Sequence, residues 1–361
     1  MNLKIGLAPQ NVALSIGLMF MTGCSSFTFV RSNSFARIAV PASPHHSEYV
    51  DYQCGRLTKA ELLDRLPHVA LIGDSLSRNF YVSSLPSSVL RAKINYGRDW
   101  FLDTDFSTNS VDSVYEQLEE ITPLVATEYS SVGGFVDSGV KQRHFPQFLW
   151  PLNFSDQVDL ILRGKRFPDL LTIWIGHNNV NWVHSLDAAQ RQDPDAGLGK
   201  IAANFRENYA RQLKRLLDQA RKKPSRTAIV VFGEVNFESY FKARETAETL
   251  KRTNPKLFPY LEIDYRYFES MKPAFRANMI KLALLENDEL HKLVNKFSEQ
   301  LKDSPQVTLR YSDALSTVDI SRVDLIHRMD AWHPSPQGHS VLAAAAFDAL
   351  KPSLEFLGIA P

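Results

Sequence analysis

The sequence predicts an α/β fold built on a parallel β-sheet. Strand-length apolar runs recur along the chain and alternate with helical patterns; they lie at 69–72, 170–175, 228–232 and 307–311. The first three runs are continuously apolar or β-branched, as is typical of strands covered on both faces. Strands that alternate with helices pair in parallel, and the helices then cover both faces of the sheet. Functional groups in such sheets gather at the carboxyl ends of the strands.

The helical patterns follow these strands. The clearest pattern lies within 201–223, where apolar residues recur every three or four positions and form a single stripe. Further helices are predicted near 59–65, 112–121, 281–301 and 338–350. A strand-to-helix connection needs only about 2–6 residues. The much longer stretch after 228–232 therefore predicts a helical insertion, rich in aromatic residues, at about 234–280.

Composition and charge exclude several classes of protein. Of the 361 residues, 44% are hydrophobic and 22% are charged, as in an ordinary globular protein. The 41 Lys and Arg residues against 40 Asp and Glu give a net charge of +1, which lacks the basic footprint of a dedicated nucleic-acid-binding protein. With only Cys24 and Cys54, no disulfide framework holds the fold together. Cys54 is expected to be a small buried residue.

The N-terminus is predicted to be a lipoprotein signal peptide covering residues 1–23. The single charge of Lys4 precedes the apolar run 12–21, and two small residues stand directly before Cys24. A helix of that apolar length spans about 15 Å, roughly half of a bilayer core, so a permanent transmembrane helix fits less well. The layout resembles a bacterial lipobox, in which Cys24 would be acylated. A cleaved secretory signal and a buried N-terminal helix are the alternatives.

The domain organisation follows from this assignment. Residues 24–58 begin with a Ser-rich stretch and are predicted to be a tether, and 59–361 form the folded domain. Acylation of Cys24 would place the protein at the cell envelope, at the outer membrane or the periplasmic face in a Gram-negative host. We expect a monomer that contacts a membrane through lipidated Cys24 and binds no nucleic acid.

A candidate nucleophile follows the first strand, in Gly73-Asp74-Ser75-Leu76-Ser77, before a stretch able to start a helix. At a strand-to-helix turn, the Ser75 hydroxyl would lie at the edge of the sheet, near backbone N–H groups and the positive end of a helix dipole. These conditions favour a nucleophile. The structural alternative is a helix N-cap, because Asp and Ser are the best caps.

A candidate base stands near the C-terminus, in Asp330-Ala-Trp-His333-Pro. A serine nucleophile needs a base, and a histidine base needs a carboxylate to orient it. The proline forces an extended turn after His333, and an apolar helix follows from about residue 338. We expect this loop to hold Asp330 and His333 in place. The same region also contains His327 and His339, so a metal site is an alternative interpretation.

Candidate donors for an oxyanion follow two further segments. Gly134 ends Tyr129-Ser-Ser-Val-Gly-Gly, and Asn178 lies in Gly176-His-Asn-Asn179 after the 170–175 strand. A glycine N–H can approach a substrate closely, and an asparagine amide supplies a neutral donor. Each residue alone would equally suit a turn.

Together and in this order, these segments resemble the GDSL or SGNH hydrolase superfamily of serine esterases and lipases, over roughly residues 68–350. The matching positions are Ser75 for the block I nucleophile, Gly134 for the block II glycine, Asn178 for the block III asparagine, and Asp330 with His333 for the last block. Two positions depart from the family pattern. Asn179 replaces the aspartate usual in block III, and Tyr129 replaces the asparagine that often opens block II. The second departure leaves Gly133 and Gly97 as substitutes for Gly134.

The resemblance implies a flavodoxin-like three-layer α/β/α sandwich with a central parallel sheet of about five strands and no metal or organic cofactor. It also implies ester hydrolysis by a Ser75-His333-Asp330 triad, with the oxyanion held by Ser75, Gly134 and Asn178. The substrate would be an ester of an acyl lipid or of an acylated sugar. A carbohydrate O-acetylesterase and a catalytically inactive binding lipoprotein are the alternative functions. The aromatic residues of the insertion would form either its own core or an acyl channel.

Overall fold

The computed structural model describes residues 30–33, 38–39, 43, 45–77, 80–82, 92–94, 99–102, 111–137, 152–186, 193–256, 273–327 and 331–359. The predicted signal peptide with Cys24 lies outside the described residues, as do Gly97 and Asp330.

A six-stranded sheet forms the centre of the molecule, in the spatial order β1-β5-β2-β6-β7-β8. The strands of the molecule are β1 (Val30–Asn33), β2 (His68–Gly73), β3 (Phe80–Val82), β4 (Ala92–Ile94), β5 (Val125–Glu128), β6 (Leu170–Trp174), β7 (Thr227–Phe232) and β8 (Val307–Ser312). Strand β1 pairs antiparallel with β5 at one edge, and the other five strands are parallel. Strands β3 and β4 form a separate antiparallel pair.

The five parallel strands follow the flavodoxin-like order. Numbered one to five in chain order, β2, β5, β6, β7 and β8 run 2-1-3-4-5 across the sheet. Strand β5 lies on one side of β2, and β6, β7 and β8 follow on the other side of β2. The strand order reverses between β2 and β6, whose register pairs Gly73 with Trp174 at their carboxyl ends. A crevice at this switch point is where α/β sheets bind ligands.

Helices cover both faces of the sheet. They are α1 (His46–Gln53), α2 (Lys59–Arg65), α3 (Val114–Ile121), α4 (Phe154–Arg163), α5 (Pro194–Ala220), α6 (Phe237–Thr253), α7 (Pro273–Glu299), α8 (Ala314–Thr317) and α9 (Pro336–Leu357), with 3₁₀ helices at Asn179–Ser185 and Val323–Leu325. Alternate residues of each strand bury on opposite faces: Val69 and Leu71 pack with α3, α6 and α9, whereas Ala70 and Ile72 pack with α4 and α5. The three-layer sandwich expected from the sequence is thereby confirmed.

The strong apolar runs are found as predicted, at β2, β6, β7 and β8, and the five predicted helices are present as α2, α3, α5, α7 and α9. The sequence did not predict the short strands β1, β3, β4 and β5, nor helices α1, α4 and α8. Helix α6 occupies the first part of the predicted insertion 234–280, and residues 257–272 lie outside the described residues.

The N-terminal part of the described chain packs against the domain. Within the predicted tether 24–58, strand β1 extends the sheet, and Ile38 is fully buried against Leu62 and Leu66 of the α2 region. Cys54 is exposed at the end of α1, so the prediction of a buried thiol is wrong. Helix α1 has no fully buried residue, and its partly buried Tyr49 and Tyr52 pack against the cluster of Ile38, Leu62 and Leu66. None of the helices in the described ranges combines the length and apolar character needed to cross a bilayer.

Candidate active site

The turn after β2 carries the candidate nucleophile. Ser75 is 7% exposed, whereas Asp74 and Ser77 on either side are fully buried, so only Ser75 reaches the surface. The turn is closed by the Ser77 N–H, which donates to the Asp74 carbonyl oxygen at 3.2 Å. A Cβ at Gly73 would lie 2.2 Å from Ser77 Oγ, which explains why a glycine precedes Asp74.

The helix expected after this turn is not found among the described residues, and residues 78–79 lie outside them. The next described element is strand β3, whose residues Phe80, Tyr81 and Val82 are aromatic or β-branched and so favour extended backbone. The described residues therefore place no helix N-terminus directly after Ser75.

The loop after β5 carries the candidate glycine donors. It is tied to the nucleophile turn because Ser131 N–H donates to the Gly73 carbonyl oxygen at 3.1 Å. Gly133 has φ = 75°, which requires a glycine, and Gly134 N–H donates to the Ser131 carbonyl oxygen at 3.0 Å. The N–H proposed for oxyanion binding at Gly134 is thus engaged within its own turn.

The loop after β6 brings Asn178 next to Gly134. The Asn178 amide donates from Nδ2 to the Gly134 carbonyl oxygen at 2.9 Å. Asn178 is half-buried, while His177 and Asn179 on either side are buried. Asn178, the residue that the sequence analysis selected, is therefore the most accessible of these three residues.

The family departure at Asn179 has a structural reason. Asn179 accepts from Val136 N–H at 3.0 Å and donates from Nδ2 to Asp137 Oδ2, also at 3.0 Å. Asp137 further accepts from Trp182 and Asn208, and burial raises the pKa of its carboxyl. An aspartate at 179 would set a second carboxylate against Asp137 in place of a donor.

The C-terminal candidate His333 lies in a tight loop before α9. His327 N–H donates to the His333 carbonyl oxygen at 2.7 Å, and the side chain of Ser335 caps α9 by accepting from Gly338 N–H at 3.1 Å. The helix predicted after this loop is present as α9, and the placement of Asp330 beside His333 stays a prediction. Asp330, the expected partner carboxylate, lies outside the described residues.

An aromatic cluster supports this loop from the insertion. The Trp332 ring lies beside three residues of α6, with ring centroids 5.7 Å from Phe237, 5.8 Å from Tyr240 and 6.1 Å from Phe241. All three α6 residues are buried in the core. These aromatics therefore pack against Trp332, the residue directly before His333.

The predicted site residues converge on one edge of the sheet. Ser75, Gly134 and Asn178 follow the carboxyl ends of the adjacent parallel strands β2, β5 and β6. Helix α9 follows β8 and runs back over β7 and β8, so its N-terminus, just after His333, starts from the same edge.

Buried carboxyl groups that the sequence did not single out lie below this edge. Glu128, at the end of β5, accepts from Ser130 Oγ. Burial and the neighbouring Glu128 charge raise the pKa of Asp99 well above its ordinary value. Asp74 itself contacts His177, and Glu234 follows β7. Across the described ranges, no three His, Cys, Asp or Glu side chains are grouped so as to hold a metal ion.

The fold and the site together define the class: an α/β/α sandwich whose polar residues meet at the switch point of a parallel sheet. The family model for GDSL-like lipase/acylhydrolase matches residues 69–346, and the chain belongs to this family. Membership indicates an ester hydrolase.

Among solved structures, the chain is similar to the lipase Lip_vut3 from a goat rumen metagenome. It is 13% identical, with a TM-score of 0.40, and the alignment covers 78% of this chain and 97% of that one. No curated protein matches this chain.

Proposed function

We propose that the protein hydrolyses carboxylic esters at the bacterial cell envelope, as a monomer, through a Ser75-His333-Asp330 triad. The observation that carries the proposal is the arrangement at the switch point. Ser75 reaches the surface from a buried turn, and hydrogen bonds tie that turn to the Gly134 loop and the Gly134 loop to Asn178. Family membership supports the same class of reaction.

The reaction proceeds through an acyl-enzyme. His333 takes the proton of Ser75 as Oγ forms a bond to the ester carbonyl carbon, and Asp330 orients the ring. The tetrahedral intermediate collapses, the bond to the alcohol oxygen breaks, and His333 returns the proton to the leaving alcohol. Water, deprotonated by His333, then attacks the acyl-enzyme; the carboxylic acid leaves and Ser75 regains its proton.

The developing oxyanion needs preorganised donors. Ser75 N–H and Gly133 N–H donate to no other described group, and the Asn178 amide has a second hydrogen beyond the one given to Gly134. Gly134 N–H would first have to leave the Ser131 carbonyl oxygen. This geometry favours Ser75, Asn178 and a glycine N–H from the 133–134 turn.

The substrate is an ester of an acyl lipid or of an acylated sugar. Because Phe237, Tyr240 and Phe241 are buried against Trp332, these three aromatics support the core interpretation of the insertion over the acyl channel. A substrate panel of acetyl, butyryl and long-chain esters with phospholipids separates the two classes. A preference for acetyl esters of sugars would identify a carbohydrate O-acetylesterase.

The proposal is tested with a fluorophosphonate probe, which labels an activated serine. Labelling should be lost in Ser75→Ala and kept in Ser77→Ala, a matched change in the same turn whose hydroxyl is buried. Asp330→Asn and His333→Ala should each lose several orders of magnitude in kcat/KM, and the double variant little more than the worse single one. Absence of labelling in the wild-type protein would refute the serine mechanism and leave the inactive binding lipoprotein and a metal site as the alternatives.

The location at the envelope is part of the same proposal. Acylation of Cys24 after removal of residues 1–23 would anchor the domain to a membrane. The layout of the first 24 residues supports it, with an apolar run and two small residues ahead of the cysteine.

A further inference from the structure

A fully buried carboxylate joins the nucleophile turn to the oxyanion turn. Asp74, directly before Ser75, accepts at Oδ2 from Gly176 N–H at 3.3 Å and from His177 N–H at 3.2 Å. Its other oxygen accepts from Leu76 N–H at 3.1 Å, on the far side of Ser75. We call Asp74, Gly176 and His177 the carboxylate clamp.

The third contact of Oδ2 comes from a side chain. Nδ1 of His177 lies 2.8 Å from Asp74 Oδ2, the shortest contact in the clamp. A carboxylate accepts hydrogen bonds, so this distance assigns the ring proton to Nδ1. The buried His177 ring packs edge-on against Trp174, with centroids 4.6 Å apart.

The clamp is supported from the next strand by Glu234, which follows β7. Gly176 has φ = 146°, and a Cβ there would lie 2.4 Å from Glu234 Oε1, so the carboxyl group packs directly against the clamp backbone. Three adjacent strands, β2, β6 and β7, thus supply Asp74, the Gly176–His177 turn and Glu234 at their carboxyl ends.

The clamp bears on catalysis because of what lies on either side of it. Asp74 is bonded to Ser75 along the chain, and His177 is bonded to Asn178. In addition to the β2–β6 pairing, contacts to a single carboxylate therefore join the nucleophile turn to the turn of the asparagine donor. An error of about 1 Å in the separation of such groups costs about 100-fold in rate.

We propose that His177 is a positioning residue that, through Asp74, sets the distance between Ser75 and the oxyanion donor Asn178. The proposal rests on the proposed ester hydrolysis. His177 does not touch the substrate: its ring is buried and its Nδ1 is directed at Asp74. Its role is to give Asp74 Oδ2 a third donor that the backbone alone does not supply.

The test compares three substitutions at His177. His177→Asn places an amide N–H where Nδ1 stood, whereas His177→Gln moves the amide further out and His177→Leu removes the donor. We expect kcat to fall about 100-fold in His177→Leu and His177→Gln with KM within about twofold, and His177→Asn to recover most of the loss. Rates are normalised to the folded fraction measured by circular dichroism, and His177→Gln replaces His177→Leu if the latter does not fold.

Hydrogen exchange provides a readout that needs no activity. The Gly176 and His177 amides should exchange at least about tenfold faster in His177→Leu or His177→Gln than in the wild type or His177→Asn. A wild-type protein without esterase activity would refute the proposed function, while the exchange comparison would still decide the clamp.

A double-variant comparison tests the route through Asp74. If His177 acts only through that carboxylate, Asp74→Asn combined with His177→Leu should cost no more in kcat than the worse single change. Additive losses would overturn the proposal. The proposal would also be overturned if kcat and amide exchange were unchanged in both His177→Leu and His177→Gln. It would be overturned as well if kcat fell as far in His177→Asn as in His177→Leu.

Discussion

The backbone N–H of Trp100 donates a hydrogen bond to Nδ1 of His339, a residue 239 positions further along the chain, over 3.2 Å. His339 is fully buried near the start of α9, six residues after His333. Accepting this bond requires a neutral ring. Burial lowers the pKa of His339 to about 3, and the nearby His333 and His327 add to the effect. The bond therefore fixes the 99–102 segment to the helix that follows the candidate base.

His339 should make the protein sensitive to acid. Its ordinary pKa is about 6.5, so as the pH falls from about 6.5 towards 3 the unfolded chain takes up a proton that the native state resists, and stability is lost. In His339→Asn, Oδ1 can still accept from Trp100 but does not protonate in this range. We expect a shallower loss of unfolding free energy between pH 7 and pH 5, measured by urea denaturation. Equal slopes in the two proteins would contradict the prediction.

Glu234 should have the opposite dependence on pH. Burial raises its pKa to about 7, while His177 and Glu286 oppose the rise. The native state therefore holds a proton that the unfolded chain releases near pH 4.5, and this stability is lost as the pH rises from about 4.5 through about 7. In Glu234→Gln, the unfolding free energy should fall less steeply between about pH 4.5 and pH 7. The exposed Glu299→Gln serves as control and should leave the curve unchanged.

Asn178 should contribute to the rate far more than to stability. Loss of one oxyanion donor costs about 10²–10³ in kcat, so we expect that loss in Asn178→Ala with little change in KM. Loss of its bond to the Gly134 carbonyl oxygen should cost about 1 kcal/mol of unfolding free energy. Asn254→Ala at the exposed end of α6 is the control. A kcat within about threefold of wild type would remove Asn178 from the oxyanion site.

Trp332 should couple stability to activity. Trp332→Ala leaves a gap against Phe237, Tyr240 and Phe241, and we expect about 2–3 kcal/mol of destabilisation because the ring is half-buried. Trp332→Phe keeps an aromatic ring and should lose less than half of that. Thermal unfolding with ester hydrolysis in parallel measures both effects. If Trp332→Ala loses no stability, the cluster does not support the His333 loop.

Cys24 should decide attachment to the membrane. Under the lipoprotein proposal, Cys24→Ala blocks acylation, because no thiol remains to carry the lipid. We expect the variant to lose labelled palmitate and either to leave the membrane fraction or to accumulate unprocessed, while Cys54→Ala keeps the label. Palmitate that still incorporates into Cys24→Ala would rule out the lipobox.

Local patterns in the sequence predict most of the sheet and the linear positions of the site. Strands β2, β6 and β7 are continuous apolar or β-branched runs of strand length. Strand β5 is only four residues long and ends in Glu128, whose burial depends on Asp99 and Ser130, and no local pattern shows that. Helix α6 was predicted only as part of a helical insertion at 234–280, because its charged and aromatic residues leave a weak apolar stripe that does not define its ends.

The residues that support the site were missed for a different reason. Ser75 and Asn178 belong to recognisable turns, but Asp74 and His177 are 103 positions apart and meet only because the register pairs Gly73 with Trp174. Glu234 similarly reaches Gly176 only through the pairing of β6 with β7. Such contacts are properties of the assembled sheet.

Strand β1 limits the length of the linker between the proposed lipid anchor and the folded domain. It begins at Val30 and is paired to the edge of β5, so only residues 24–29 separate an acylated Cys24 from the body of the enzyme. A fully extended chain of that length reaches about 20 Å. The catalytic domain would then lie close to the lipid headgroups, with one edge of its sheet facing them. Its ester substrates would have to lie in the part of the envelope within about 20 Å of that membrane surface.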